Sequence, residues 1–485
     1  MAKKTPESET AAAKPAPRRK VASGKSAPRA AEATQKQEPI LVSISGIRGI
    51  AGAALSASAI LPFVDAFARL VKGNRVVIGH DARPSAKWIL PMVEAILRSR
   101  GIDVVVVGMV PTPTIGLLVR KLKAAGGINI TASHNPIEYN GLKFFSAAGE
   151  FITAEMLEEL KGLMGAPPAG PAPKIGKRAF LSDAAEMHLE TLLNVFPPPE
   201  RLRASKRPKV IIDCCNSSGA ELAPDVADAY GAVFQLIHSD TTKYEFPRGA
   251  EPTEKNIVAL RKAVAREGAD LGFAIDPDAD RLAIVDEMGN AIGEERTLVL
   301  AADSYFMFNK KPTTIVVNLS TSRAIDDVAE EHGIKVYRTA IGEANVLAGM
   351  RKYKARIGGE GNGGVIVPAV QPGRDVATAI ALILMGLQAR GGTLSDWNES
   401  IPNYSMRKVA VPRGDMSVDG ALAKVRKAFA KEGHADDTDG IKISYRDRWV
   451  HVRASNTEPI LRIFAEAPDD EGAEELIERV SKILS

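Results

Sequence analysis

Cysteine is almost missing from this sequence: there are two in 485 residues, and they are neighbours, Cys214 and Cys215, after an apolar run. Two adjacent thiols do not build a disulfide framework, and they are too few for a structural zinc site. They suit a reducing cytosol, so a cytoplasmic location is expected. Long apolar stretches are missing too. No run reaches the roughly 18 residues a membrane-spanning helix needs, so no membrane partner is expected. There is no Gly-x-Ser-x-Gly elbow, which weighs against an α/β-hydrolase, and no fixed-period repeat of the solenoid kind. The body of the chain also lacks a basic excess. Residues 1–38 hold nine Lys/Arg against four Asp/Glu, a charge of +5, while the whole chain is +4, so the remainder is −1. A nucleic-acid partner for the body therefore loses its electrostatic footprint.

Residues 1–38 are rich in Ala, Pro, Lys and Ser and nearly without large apolar side chains. Such a segment cannot offset its ordering entropy by burial and is predicted to be a disordered basic tail. It has no apolar h-region, so it is not read as a secretory signal. From residue 39 the pattern changes. Short β-branched runs alternate with helical stretches: Val76–Ile78 and Val104–Val107 around a helix near Lys87–Arg100, then Val210–Ile212 with a helix near Ala220–Tyr230, then Thr314–Asn318 with a helix near Arg323–Glu331. Strands alternating with helices predict α/β layers with parallel or mixed sheets. Pro/Gly-rich seams suggest three such domains, 39–190, 191–297 and 298–403. A last block, 404–485, reads as a small α+β domain.

Four motifs carry chemistry. The first is Thr131-Ala132-Ser133-His134-Asn135-Pro136, followed by Tyr139-Asn140-Gly141-Leu142-Lys143. The Pro and the Asn-Gly pair are expected to keep this stretch out of regular structure and leave Ser133 on a loop after a strand. An ordinary turn is the competing reading. The second is Asp276-Pro277-Asp278-Ala279-Asp280-Arg281, with apolar strands on both sides. Three carboxylates at alternate positions repel unless a cation joins them, and a hard divalent ion is the natural partner. An EF-hand is excluded, because Arg281 stands where its glycine belongs and the flanks are strands. The third, Gly358-Gly359-Glu360-Gly361-Asn362-Gly363-Gly364, lets backbone approach a ligand closely, with Glu360 and Asn362 offering polar groups to sugar hydroxyls. The fourth, Arg453-Ala454-Ser455-Asn456-Thr457-Glu458-Pro459, gathers a guanidinium, hydroxyls and backbone N–H groups suited to phosphate.

Together and in this order, the four resemble the α-D-phosphohexomutase superfamily over residues 40–485. The resemblance implies a four-domain, heart-shaped architecture, with three similar mixed-sheet α/β domains and a C-terminal α+β domain. It makes Ser133 the phosphoserine and Asp276, Asp278 and Asp280, with the phosphoserine oxygen, the ligands of one Mg²⁺. Arg48 and Lys143 match basic positions beside the phosphoserine, and Lys143 or His134 would manage hydroxyl protons. Arg281 would bind substrate and help balance the charge. Glu360 and Asn362 match the sugar loop; Arg453, Ser455, Asn456 and Thr457 match a distal phosphate loop. The implied substrate is a hexose or hexosamine monophosphate, with a bisphosphorylated sugar as intermediate and activator, on a monomer or homodimer. Two positions depart from the family: Asn362 where many relatives have Ser, and Gly364 where they have His. The pattern is most similar to the phosphoglucosamine mutase branch, and phosphomannomutase/phosphoglucomutases share much of it. The competing classes are a phosphatase with an aspartyl nucleophile at Asp276 and a non-catalytic binder using the basic tail.

Overall fold

The computed structural model describes residues 1–2, 39–164, 170, 174–199, 207–309, 314–413, 416–429, 431–455 and 460–484. Most of the segment expected to be disordered therefore lies outside the described residues, as do Asn456 and Thr457 of the expected phosphate loop.

Four sheets follow one another along the chain. The first holds β1 (Leu41–Ser43), β2 (Gly46–Ile50), β3 (Arg75–His80), β4 (Asp103–Met109), β5 (Gly126–Ile130), β6 (Tyr139–Ser146) and β7 (Arg178–Phe180), in the order β1-β2-β6-β5-β3-β4-β7. The second holds β8 (Lys209–Asp213), β9 (Val233–Ile237), β10 (Leu271–Ile275) and β11 (Leu282–Asp286), in the order β11-β10-β8-β9. The third holds β12 (Thr314–Asn318), β13 (Lys335–Thr339), β14 (Ile357–Glu360), β15 (Gly364–Val367) and β16 (Gln371–Arg374), in the order β13-β12-β14-β15-β16. These three are mixed. The fourth is wholly antiparallel: β17 (Ser405–Pro412), β18 (His434–Asp436), β19 (Ile441–Ser444), β20 (Trp449–Ala454) and β21 (Ile460–Ala467), in the order β17-β21-β20-β19-β18.

One arrangement recurs in the mixed sheets. β5 runs parallel to β3 and antiparallel to β6; β10 runs parallel to β8 and antiparallel to β11; β14 runs parallel to β12 and antiparallel to β15. Each is an interior strand, buried along its length, which is why each reads as an unbroken apolar or glycine run without alternation. Each also ends at one of the first three motifs.

Helix Val376–Arg390 is buried nearly all round, and its core is shared with helices Gly219–Ala229 and Glu294–Phe308 and with the second and third sheets. Asp375 caps it, accepting from the N–H groups of Ala377 and Thr378 at 3.1 and 3.2 Å. The fourth sheet builds its own core from Val425, Phe429, Ile441, Val450, Ile463 and Leu476.

Helix Ala86–Ser99 falls within a residue of the sequence expectation, and strand β12 matches it. The Asn140-Gly141 pair does not: it lies inside β6. Gly141 has no room for a side chain, since a Cβ would strike the carbonyl oxygens of Ile47 and Thr131. Close strand packing, and not a turn, is why glycine stands there. The glycine-rich stretch is likewise a β14–β15 hairpin, with only Gly361–Gly363 at its tip.

Candidate active site

Ser133 follows β5 with a left-handed backbone, φ +50°. For a residue with a Cβ this costs about 1–2 kcal/mol, and neighbouring bonds hold it. The Ser133 N–H donates to Thr131 Oγ1 at 2.9 Å, and the Thr131 hydroxyl donates to Asp81 Oδ2 at 2.6 Å. Asp81 is paired with Arg83 at 3.0 Å, both fully buried. The Arg83 guanidinium then donates to the carbonyls of Ser133 (2.6 Å), Asn135 (2.7 Å), Tyr139 (2.8 Å) and Pro136. One buried arginine thus organises the whole loop. Sequence reading missed it, because nothing in Gly79-His80-Asp81-Ala82-Arg83 signals where the side chains turn.

The Asp276–Arg281 motif is the tight connection between β10 and β11, with Ala279 at φ +53°. The Ser133 hydroxyl donates to Asp276 Oδ2 at 3.2 Å, although 143 residues separate them. Oxygens of Asp276, Asp278 and Asp280 all lie within 4.8 Å of one another, and all three residues are buried. Lys143, on β6, donates to Asp278 at 2.6 Å and Asp280 at 2.9 Å. Burial pushes the Lys143 ammonium down, but these two carboxylates more than offset it and keep it above its ordinary value. Burial and then the charges of Asp278 and Asp280 hold the Asp276 carboxyl well above the usual range. Asp278 Oδ1 and Asp280 Oδ1 are buried without a hydrogen-bond partner among the described residues. A donor set of hard oxygens, two of them orphaned, fits a hard divalent cation such as Mg²⁺.

Beside the serine is a cavity of about 610 Å³. Ser133, His134, Arg48, Lys143, Arg281, Glu360 and Asn362 all line it, so seven of the expected residues meet there. Arg48 donates to Asn135 Oδ1 at 3.2 Å and to Ser45 at 3.4 Å. His134 Nδ1 lies 3.4 Å from Ser133 Oγ; burial, with the Arg281 and Arg48 guanidinia, holds this imidazole well below its ordinary value and so uncharged. Glu360 Oε1 accepts from Asn318 and from the Gly342 N–H, both at 2.9 Å. Asn362 Oδ1 has no hydrogen-bond partner among the described residues.

Against known proteins, four models of the phosphoglucomutase/phosphomannomutase series match in chain order: alpha/beta/alpha domain I over residues 40–167, domain II over 186–289, domain III over 294–404 and the C-terminal domain over 406–483. The chain belongs to this family. It is a phosphohexomutase, an intramolecular phosphotransferase of the isomerase class. A phosphoglucomutase/phosphomannomutase of Thermococcus kodakarensis is 34% identical over 452 residues, covering 90% of this chain and 97% of that one. A phosphoglucosamine mutase of Paraburkholderia phymatum is 30% identical over 433 residues, covering 88% and 92%. The solved structure of a family protein from Burkholderia thailandensis superposes with a TM-score of 0.78 at 24% identity, over 92% of this chain and 98% of that one.

In this phosphohexomutase the described part of the fourth motif, residues 453–455, does not line the cavity. Arg453, on β20, is paired with Asp439 at 3.2 Å, and neither it nor Ser455 is part of the cavity wall. Asp439 also accepts from the Ile341 N–H at 3.0 Å, next to the wall residue Gly342. Among the wall residues that sequence reasoning missed, Glu343 and Arg374 bond to each other beside the metal loop. Arg374 closes β16 and donates to Asp280 (2.8 Å), Glu343 (3.1 Å) and Glu360 (3.1 Å). Burial alone would raise Asp280, yet Arg374, Lys143 and Arg281 hold it well below the usual carboxylate range. No motif flagged Arg374, because its partners come from three separate stretches of chain.

Proposed function

We propose that this phosphohexomutase interconverts glucosamine 6-phosphate and glucosamine 1-phosphate with Ser133 as the phosphate carrier. The observation that carries the reading is the Ser133 hydroxyl, on the cavity wall and 3.2 Å from a triad of buried carboxylates. Phospho-Ser133 gives its phosphoryl group to the free sugar hydroxyl, forming a bisphosphorylated sugar. That sugar turns over in the cavity, and Ser133 takes the other phosphoryl group.

Asp276, Asp278 and Asp280 would hold Mg²⁺, which when bound supplies charge to the transferring phosphoryl oxygens. Arg48, Lys143 and Arg281 offset the negative charge that a phosphoserine adds to three carboxylates. Opposite charges 4 Å apart are worth roughly 4 kcal/mol at an effective dielectric near 20, so these cations decide whether the phosphorylated site is stable. His134 would exchange the serine proton, a role supported over Lys143 by its Nδ1 lying 3.4 Å from Ser133 Oγ and by burial holding the imidazole uncharged. Arg453, with Ser455, Asn456 and Thr457, would hold the phosphate that is not reacting, once Arg453 leaves Asp439.

The hexosamine is favoured by the acceptors on the wall. Glu360, Glu343 and the unpartnered Asn362 Oδ1 suit an amino sugar's ammonium. The relative from Thermococcus kodakarensis supports the second reading, phosphomannomutase/phosphoglucomutase. A coupled assay comparing kcat/KM for glucosamine, glucose and mannose phosphates decides between them. An aspartyl-phosphatase role is disfavoured because Asp276 Oδ1 already accepts the N–H groups of Asp280 and Arg281 at 3.0 and 3.1 Å. Phosphate mapping tests the carrier directly. An acid-stable phosphate on Ser133 is expected, and Ser133→Ala should lower turnover by roughly a thousandfold or more. A hydroxylamine-labile phosphate on Asp276 would replace this reading with the phosphatase.

A further inference from the structure

Among the described residues, Arg374 is the one side chain that bonds both to the metal loop, at Asp280, and to the sugar loop, at Glu360. Each nitrogen of its guanidinium is committed to a different carboxylate: Nε to Glu343 (3.1 Å), one terminal nitrogen to Glu360 (3.1 Å) and the other to Asp280 (2.8 Å). These acids stand on three separate segments, the N-terminus of helix Glu343–Tyr353, the end of β14 and the β10–β11 connection. Arg374 is 9% exposed, so these bonds form largely out of water. To get there its aliphatic stem crosses the face of Gly364. A Cβ on residue 364 would collide with Arg374 Cδ and stand 2.8 Å from its Cγ.

We propose that Arg374 is a positioning residue of the transfer site, holding Glu360 in register with Asp280, and that residue 364 is glycine because any side chain there displaces it. The inference rests on the mutase reading above. A planar fork can hold three carboxylates at fixed separations, whereas an ammonium is a point charge and cannot. Fixing Glu360 against the metal loop holds its carboxylate preorganised for the sugar hydroxyls it binds, so freeing it costs sugar affinity. The positive charge beside Asp280 also opposes a dication at the triad, so its removal should tighten metal binding. General damage to the site would loosen it.

The test uses the full chain and two readouts, Mg²⁺ binding by calorimetry and steady-state KM for the sugar phosphate. Arg374→Met should raise KM about tenfold or more and tighten Mg²⁺ binding about threefold or more. Arg374→Lys keeps the charge, so Mg²⁺ affinity should stay within about twofold of the parent while KM remains about fivefold or more above it. Gly364→Ala should shift both readouts as Arg374→Met does, and the double variant should be no worse than either single one, since both changes remove the same contact. If Arg374→Met does not fold, the Lys and Gly364→Ala variants carry the test. An unchanged KM in the Arg374 variants, looser Mg²⁺ binding in Arg374→Met, or multiplying effects in the double variant would overturn the proposal. Phosphate mapping on Ser133 separates the two failures. Absence of that phosphate from active parent enzyme sinks the mutase reading, whereas its presence with an unchanged KM sinks only the role of Arg374.

Discussion

At the scale of single residues, the serine loop separates chemistry from scaffolding. Ser133→Ala removes one hydroxyl and should leave stability nearly untouched. Arg83→Met leaves Asp81 buried without its cation and takes the donors from four carbonyls. We expect a loss of about 3–5 kcal/mol in urea unfolding. Thr131→Val should cost about 1–3 kcal/mol by stranding the Ser133 N–H, and should lower kcat in the protein that remains folded. Ser133 and the aspartates were legible in the sequence because hydroxyl, carboxylates and turn residues crowd into short stretches. Arg83 and Arg374 were not, because a lone arginine looks the same whether it faces water or is buried against three acids.

At the scale of elements, helix Val376–Arg390 joins the second and third sheets, and its first residues fix its direction. Asp375 caps it and also pairs with the buried His188 at 3.3 Å, whose other ring nitrogen meets Thr114 Oγ1 at 2.8 Å. Asp375→Ala loses a cap and strands a histidine, so the urea midpoint should fall by the equivalent of about 2–4 kcal/mol. Asp375→Asn retains the cap and should recover at least half of that. The central strands were readable as apolar runs, and the alternation with helices gave the α/β layers. Sheet order was not readable, because which strand lies beside which is decided by contacts between distant segments. The repeated junction of a parallel and an antiparallel neighbour at β5, β10 and β14 is a property of that order. It explains why three unlike motifs occupy like places, since strand ends at such junctions open the crevices where ligands bind. The place of Gly364 in β15 was not readable either, because its lack of a side chain answers to Arg374, ten residues away.

At the scale of the whole molecule, the fourth sheet meets the third through polar groups. His451 Nδ1 faces Ser320 Oγ at 2.8 Å and its Nε2 faces the Asp439 carbonyl at 2.5 Å, and Lys442 donates to the Leu319 carbonyl at 2.6 Å. Burial, despite the bond to Asp439, lowers the His451 imidazole from its ordinary 6.5 to about 4. Between those values the unfolded chain takes up a proton that the folded one refuses, so stability is present above pH 6.5 and drains away as pH falls toward 4, by up to about 3 kcal/mol. Urea midpoints at pH 7 and 4.5, followed by tryptophan fluorescence, should show this loss, and His451→Gln should flatten it. The cavity has a consequence of another kind. Its wall begins at Val42 and is completed only by Arg374. During synthesis from the N-terminus, a growing chain carries Ser133 for about half its length before Arg374, the last residue of that wall, is made. On the mutase reading proposed above, unfinished chains, and any fragment cut between the two ends of that wall, are expected to show no turnover.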